Sequence, residues 1–378
     1  MMHTMSVTSA DQPPPTFDAA IVRWLHQALA EQGRVLDPDR DAQALAVEAS
    51  QRTFYRIYTK TTQTTQTTQT TQTTQTTKET EAHQSRAQDS LILMQSPPDL
   101  ENNLAFVDMA AAMRSVGVNV PTVYRHAVRE GLLLLSDLGS DHLADAYRDG
   151  RMTNALATAL VTLERIQQLP RNRVPPYSTQ RFSDELDIFI DWLVKQACNL
   201  ALPDALFEPV RQRLLSNTTD QDQVCVHRDY HCRNLLMPLE GDAASGVGVV
   251  DFQDALFGPA AYDVASLLYD CYWSFDELTI AHYADSYRVN GKLVGTRQIE
   301  LTAVQRQLKA IGIFARLALR DQKLSHLPYI NPVIHSLVRL CAKHSETQAL
   351  ADWLAERLQP AASAWLTALQ AGEVRSHT

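Results

Sequence analysis

The chain has 378 residues, 45% of them hydrophobic and 20% charged, with a formal net charge of −9. That length suits two domains or two large lobes around a substantial core. The acidic balance argues against a nucleic-acid or anionic-membrane partner, since both select a basic surface. Five cysteines, Cys198, Cys225, Cys232, Cys271 and Cys341, are scattered and never spaced C-x-x-C, so neither a disulfide framework nor a zinc site is expected. No eighteen apolar residues run together, and the opening MMHTMSVTSADQPPPTF has neither a basic stretch nor an apolar one. A soluble cytoplasmic protein, acting as a monomer, is the expectation.

Residues 1–16 are polar and proline-rich and are expected to be disordered. From Phe17 to Gln32 the spacing of Ile21, Leu25 and Leu29 predicts a first helix. Ala44 to Tyr58 then alternates as two short strands around a polar turn at Ser50, Gln51, Arg52 and Thr53. The tract TTQTTQTTQTTQTTQTT, Thr61 to Thr77, has no apolar residue to offset the entropy of ordering, and reads as a disordered insertion in a hairpin connection. LILMQ supplies the next strand, followed by a helix from about Asn103 to Val116, a turn at Gly117 and a strand near Thr122. GLLLLSDLGS, Gly131 to Ser140, is a buried strand running into a Ser-Asp-x-Gly break. Beyond it helical periodicity dominates, over Thr153–Leu169, Arg181–Leu200 and Asp204–Leu215. The run Asp184, Glu185, Asp187, Asp191 reads as a solvated helix face. Helices from Asp276, from about Arg297 to Lys323 and from Glu346 to Gln370 complete an all-helical tail, in which Arg306, Lys309, Arg316 and Arg320 read as a solubilising face.

Between the third of these helices and the tail lies the stretch that carries the chemistry, Val224 to Asp263. The apolar run Val224, Cys225, Val226 delivers a loop holding His227, Asp229 and Asn234. Two further apolar runs follow, separated by Pro238, Gly241, Asp242, Ser245 and Gly246, which predicts a β-hairpin ending on Asp251 and Phe252. Such a set suits phosphoryl transfer from a nucleoside triphosphate, where catalysis is mostly positioning and charge neutralisation. Magnesium takes one or two hard oxygen ligands from a protein and fills its octahedron with water and phosphate, roles open to Asn234 and Asp251. A hydroxyl acceptor needs a base within hydrogen-bond reach, for which Asp229 is the candidate. Asp263, opening the next helix, is expected as its N-cap. A transition-metal site on His227, Asp229 and His231 lacks a fourth partner.

HRDYHCRN followed by DFQD resembles the catalytic and metal-binding loops of kinases, and more narrowly those of the aminoglycoside phosphotransferase and choline kinase group of small-molecule kinases. No Gly follows Asp251-Phe252 and no Ala-Pro-Glu segment occurs. GPAAYDVASLL instead resembles the Gly-x-x-x-Tyr-Asp-x-Ala pattern of the small-molecule group, unlike protein kinases. The resemblance implies a bilobal α+β fold of the protein-kinase type, with a small β-rich lobe over 17–135 and a mainly helical lobe over 136–378 carrying the catalytic hairpin 224–254. It implies ATP and Mg2+ as cofactors, Ser50, Arg52, Thr53 and Arg56 near the nucleotide phosphates, and Leu135, Ser136 and Leu138 around adenine. His227 and Asp263 become supports of the catalytic loop. Where kinases carry a phosphate-holding strand lysine this chain reads Leu93-Met94-Gln95, so either Arg52, Arg56 or Lys60 replaces it or the site manages without one, with Glu101 as a candidate partner carboxylate.

Within that group ASQRTFYRI, LMQSPP, GVNVPTVY, LLLLSDLGS, HRDYHCRNLL and VVDFQDALFGPAAYDVASLL resemble the bacterial anomeric kinases of N-acetylmuramate and N-acetylglucosamine, which make sugar 1-phosphates for cell-wall recycling. A small-molecule sugar is then the acceptor, with Arg228, Tyr230, Arg233 and Asp254 as candidate contacts. The alternatives are another small-molecule hydroxyl acceptor, an aminoglycoside, choline or an amino-alcohol, of which the cationic aminoglycoside and choline would want an acidic or aromatic cage, and a non-catalytic nucleotide-binding protein.

Overall fold

The computed structural model describes residues 15–45, 51–62, 89–239 and 246–371. Most of the first sixteen residues, Ser50, nearly all of the Thr-Gln tract and the hairpin turn at Gly241, Asp242 and Ser245 lie outside the described residues. The chain divides into two compact units, one of Met1–Asp141 with Leu236–Gln253, the other of His142–Leu235 with Asp254–Thr378.

In the first unit, α1 (Ala19–Glu31) precedes β1 (Arg34–Leu36), β2 (Gln43–Leu45), β3 (Thr53–Thr61), β4 (Ser90–Gln95), α2 (Asn103–Ser115), β5 (Val123–Ala127) and β6 (Leu132–Ser136). The sheet order is β1-β3-β4-β6-β5, with β2 also paired to β3, and every ladder is antiparallel. β4 and β6 are central and nearly wholly buried, which is why both read as continuous apolar runs rather than alternating ones. Asp18 caps α1 by accepting from the Ala20 and Ile21 amides, both at 2.8 Å. That helix lays Leu25, Ala28 and Leu29 on Ile57, Leu91, Leu93 and Leu134, and each buried Leu or Ile contributes about 1.5–3 kcal/mol. The edge strand β1 adds to the elements legible in the sequence.

The second unit holds α3 (Leu143–Arg148), α4 (Met152–Gln167), α5 (Thr179–Ile188), α6 (Asp204–Thr219), β7 (Gln223–Val226) and, spanning the boundary, β8 (Leu235–Leu236). The chain returns to the first unit for β9 (Gly248–Val249), which pairs with β8 to give the expected hairpin. It then re-enters the second unit as β10 (Leu256–Pro259), α7 (Tyr262–Leu268), α8 (Glu277–Ala284), the ribbon β11 (Arg288–Val289) and β12 (Lys292–Leu293), α9 (Thr296–Asp321), α10 (Ile330–Cys341), α11 (Gln348–Trp353) and α12 (Gln359–Gln370). α5 continues into a π-helical segment, Phe189–Ala197, where the periodicity predicted an unbroken helix. At this point Gly312 of α9 approaches so closely that a Cβ on it would lie 2.6 Å from the Phe189 amide nitrogen, and only glycine permits that crossing.

The expectation of an all-helical tail needs correction, because the β11–β12 ribbon interrupts it. The structure also adds two elements. α10 carries its Pro332 in the first turn, where a missing N–H costs nothing, and β10 pairs with β7 in the register Leu256↔Val226 to Pro259↔Gln223.

Candidate active site

β7 buries Val224, Cys225 and Val226 and delivers a loop tethered from below. The His227 and Arg228 amides donate to the two oxygens of Asp263, at 2.6 and 2.9 Å. Asp263 lies inside α7, behind Ala261 at the N-cap position, so it is not the helix cap that the sequence suggested. Its carboxylate is fully buried and serves the loop instead. Burial pushes that carboxyl up in pKa, with His227 and the two amide donors opposing. Further along, the Cys232 amide donates to Asp270 at 2.9 Å, while the other oxygen of Asp270 takes the Tyr272 amide at 2.8 Å. Two carboxylates, one in the first turn of α7 and one just past its end, thus fix the loop before and after its central residues.

Between these tethers Asp229 is half exposed, its side chain 42% accessible. Asn234 donates its amide to the Asp229 carbonyl at 3.0 Å, so the loop brings these two predicted residues together. Tyr230 is wholly buried and donates its hydroxyl to the Ala159 carbonyl of α4 at 2.7 Å, which makes it a loop anchor and not an acceptor contact. The Arg233 guanidinium lies 3.9 Å from the Tyr272 ring and 4.8 Å from that of Tyr329. Asp254 is exposed, and its carbonyl accepts from Arg228 at 3.4 Å.

The charges around Asp229 were read differently from the sequence. Arg306 and Lys309 of α9 are buried, not solubilising, and Glu185 of α5 is buried rather than solvated. Arg306 donates to the Arg228 carbonyl at 3.0 Å and comes within 4.0 Å of Asp229. Glu185 pairs with Arg228 at 2.9 Å and Lys309 at 3.1 Å, and also accepts from the Tyr177 hydroxyl. Burial tends to raise the Glu185 carboxyl, but Lys309 and Arg228 hold it below the usual carboxylate range. Desolvation likewise pushes Asp229 up, and Lys309, His231, Arg306 and Arg228 together bring it down to about 2. In the sequence these cations read as a polar face, because Leu301, Val304, Leu308 and Ile311 mark only one apolar stripe; in the structure α9 is buried around its whole girth, Glu300, Gln305, Arg306 and Lys309 included, so its charges must be paired.

In the first unit, Asp251 is exposed and adopts a left-handed backbone at φ +64°, and Gln253 donates to its carboxylate at 2.8 Å. Phe252 is buried against Phe106 of α2, with ring centroids 5.0 Å apart. The Arg52 guanidinium lies 5.4 Å from the same Phe106 ring, pairs with Glu101 at 3.0 Å and donates to Ser96 at 3.3 Å. Arg56 is bidentate to Asp137 at 2.5 and 3.1 Å and donates to the Gly139 carbonyl at 2.9 Å. Lys60 is half exposed and pairs with Asp37 and Asp39 at 2.7 and 2.8 Å. Of the three candidates for the absent lysine, Arg52 alone is paired with the predicted Glu101. Thr53 is exposed opposite Gln95; Leu135 is buried; Ser136 donates its amide to the Thr122 carbonyl at 2.9 Å. Leu138 packs on Gly248, where a Cβ would come within 3.1 Å. Among the described residues, no group of three or more His, Cys, Asp or Glu side chains is arranged to hold a metal ion. None of their helices is long and apolar enough to cross a membrane.

A sequence profile of the phosphotransferase enzyme family matches residues 73–299. The N-acetylmuramate/N-acetylglucosamine kinase of Pseudomonas putida is 32% identical over 269 residues, covering 66% of this chain and 78% of that protein. The protein of the same name from Pseudomonas aeruginosa is 32% identical over 286 residues, 72% of this chain and 83% of its own length. Among solved structures, a choline/ethanolamine kinase family protein from Mesorhizobium loti superposes with a TM-score of 0.54 at 12% identity, covering 88% of this chain and 99% of that one. The choline kinase LicA from Streptococcus pneumoniae also gives 0.54, at 13% identity, covering 86% of this chain and 100% of that one. The fold is the bilobal α+β fold of the protein-kinase type, and the chain belongs to the phosphotransferase enzyme family. It is accordingly an ATP-dependent phosphotransferase acting on a hydroxyl acceptor.

Proposed function

We propose that the protein phosphorylates the anomeric hydroxyl of N-acetylmuramate or N-acetylglucosamine, giving the sugar 1-phosphate in peptidoglycan recycling. The observation that carries this is the similarity to kinases of these two sugars over two thirds of the chain and more. At the site, Arg306 comes within 4.0 Å of the Asp229 carboxylate, while Arg228 and Lys309 are both paired with Glu185.

In this reading Asp229 accepts the proton of the anomeric hydroxyl as its oxygen bonds to the γ-phosphorus of ATP. The bond to the β–γ bridging oxygen breaks, ADP leaves, and the proton passes from Asp229 to solvent. Asn234 and Asp251 would hold Mg2+, which neutralises phosphate charge when bound. They fit it as hard oxygen donors, since the Asn234 amide nitrogen is engaged with the Asp229 carbonyl and the amide oxygen is its metal-binding atom. Arg52, oriented by Glu101, is the phosphate-holding cation in place of the absent lysine. Leu135, Ser136 and Leu138 border adenine. The protein acts in the cytoplasm as a monomer.

The test is ATP consumption with magnesium against N-acetylmuramate, N-acetylglucosamine, choline and an aminoglycoside, with phosphorus NMR of the product. A sugar 1-phosphate signal is expected. ADP release with another acceptor only would discard the sugar assignment, and no turnover with any acceptor would discard the kinase reading itself.

A further inference from the structure

Arg228 directly precedes Asp229 and has φ +79°, in the left-handed region that glycine alone enters without strain. An arginine there must be held, and four hydrogen bonds hold it. Its amide donates to Asp263 at 2.9 Å, its carbonyl accepts from Arg306 at 3.0 Å, and its guanidinium donates to Glu185 at 2.9 Å and, at the longer distance of 3.4 Å, to the Asp254 carbonyl. The first two bonds are made by backbone atoms that any residue would supply. The other two exist because the residue is arginine, and the one to Glu185 is the short, charge-paired contact.

Glu185 is built for that contact. Its side chain is 7% exposed, and its carboxylate also takes Lys309 at 3.1 Å, Gln305 at 3.3 Å and the Tyr177 hydroxyl. Its neighbours in the same acidic run face outward, Asp187 pairing with Arg211 and Asp191 with Lys195. A buried carboxylate is costly unless its partners saturate it, and these do. One side chain thus links α5 and α9 to the residue whose backbone turn presents Asp229.

We propose that Glu185 is a positioning residue, which acts through Arg228 to hold the left-handed turn that aims Asp229. This rests on the kinase reading with Asp229 as base. Glu185 is buried with its carboxylate taken up by protein partners, so its loss should lower kcat and leave the KM for ATP nearly unchanged.

The test is a double-mutant cycle in kcat, with thermal unfolding measured on every variant. E185Q should lower kcat by about tenfold or more in the wild-type background. In an R228G background, where glycine adopts the turn unaided and carries no guanidinium, the same substitution should cost less than about threefold. An equal fold-loss in both backgrounds would overturn the proposal, because Glu185 would then work through Lys309 or through the fold alone. Should E185Q not fold, R228A and R228G decide the matter with Glu185 intact. R228A retains the strain without the anchor and should turn over about tenfold more slowly than R228G, and equal rates would overturn the proposal. D229N is assayed alongside. If it turns over like wild type, the base assignment is wrong whatever the cycle shows, so the two failures stay distinct.

Discussion

Replacing Asp270 by alanine should loosen the loop that carries Asp229 at its far end. The Asp270 carboxylate accepts from the buried Cys232 amide at 2.9 Å and from the part-buried Tyr272 amide at 2.8 Å. Alanine leaves the first, buried donor without its acceptor, at a cost of about 1–3 kcal/mol. The second can turn to solvent, and its loss adds about 0.5–1 kcal/mol. Removing the buried charge returns part of its desolvation cost, so a net loss of about 2 kcal/mol is expected. In a domain of this size each kcal/mol moves the midpoint by about 2–4 °C, which predicts a fall of about 4–8 °C in Tm. Because the loop also sets the geometry of the proposed base, kcat should fall at least tenfold at temperatures where the variant is folded. Circular dichroism melts and a coupled ADP-release assay read the two effects. Asp270→Asn retains one acceptor oxygen and should lose about half as much stability. A D270A protein that melts and turns over like wild type would refute the idea that this carboxylate holds the loop.

Asp229→Asn should retain MgATP binding and lose a factor of about 10²–10⁴ in kcat. With the Asp229 carboxyl lowered to about 2, its stabilising contribution is present above the ordinary carboxylate value and lost only as pH falls through about 2. Titration of this group should therefore add no acid limb to kcat/KM above about pH 4. Asp251→Ala should abolish magnesium-dependent nucleotide binding, read by calorimetry with and without the metal; undiminished MgATP affinity would remove Asp251 from the metal site. Arg52→Gln should weaken ADP at least tenfold while leaving adenosine unchanged, since only ADP carries the phosphates that a guanidinium reads; a parallel loss for both would place Arg52 elsewhere. Gly131→Ala should destabilise the first unit by about 1–2 kcal/mol or more. Gly131 has φ +68° and a Cβ there would collide with the Ser96 carbonyl; an unchanged denaturant midpoint would show that the turn relaxes freely.

The sequence by itself determined the order of elements and the chemical inventory. Hydrophobic patterns are local, so the strand ending near Tyr58, the continuous apolar run of Leu132–Ser136 and the helices around Asn103–Ser115 and Met152–Gln167 are legible from spacing alone, whereas the extension of β3 to Thr61 and the short helix Leu143–Arg148 are not. The spacing of Asp229, Asn234 and Asp251 is written in one contiguous stretch and needs no tertiary information. What only the tertiary structure decided is the fate of charges whose partners are far along the chain. Glu185 meets Arg228 across 43 positions, and it looks like its exposed neighbours until a folded partner is known. Arg306 and Lys309 look solubilising until α9 is seen to be surrounded. Asp263 resembles a helix cap locally, but its carboxylate turns to the amides of residues 36 and 35 positions earlier. Periodicity reports which face of an element is apolar, whereas ion pairing in a core depends on which elements meet, and that is settled only when the chain folds.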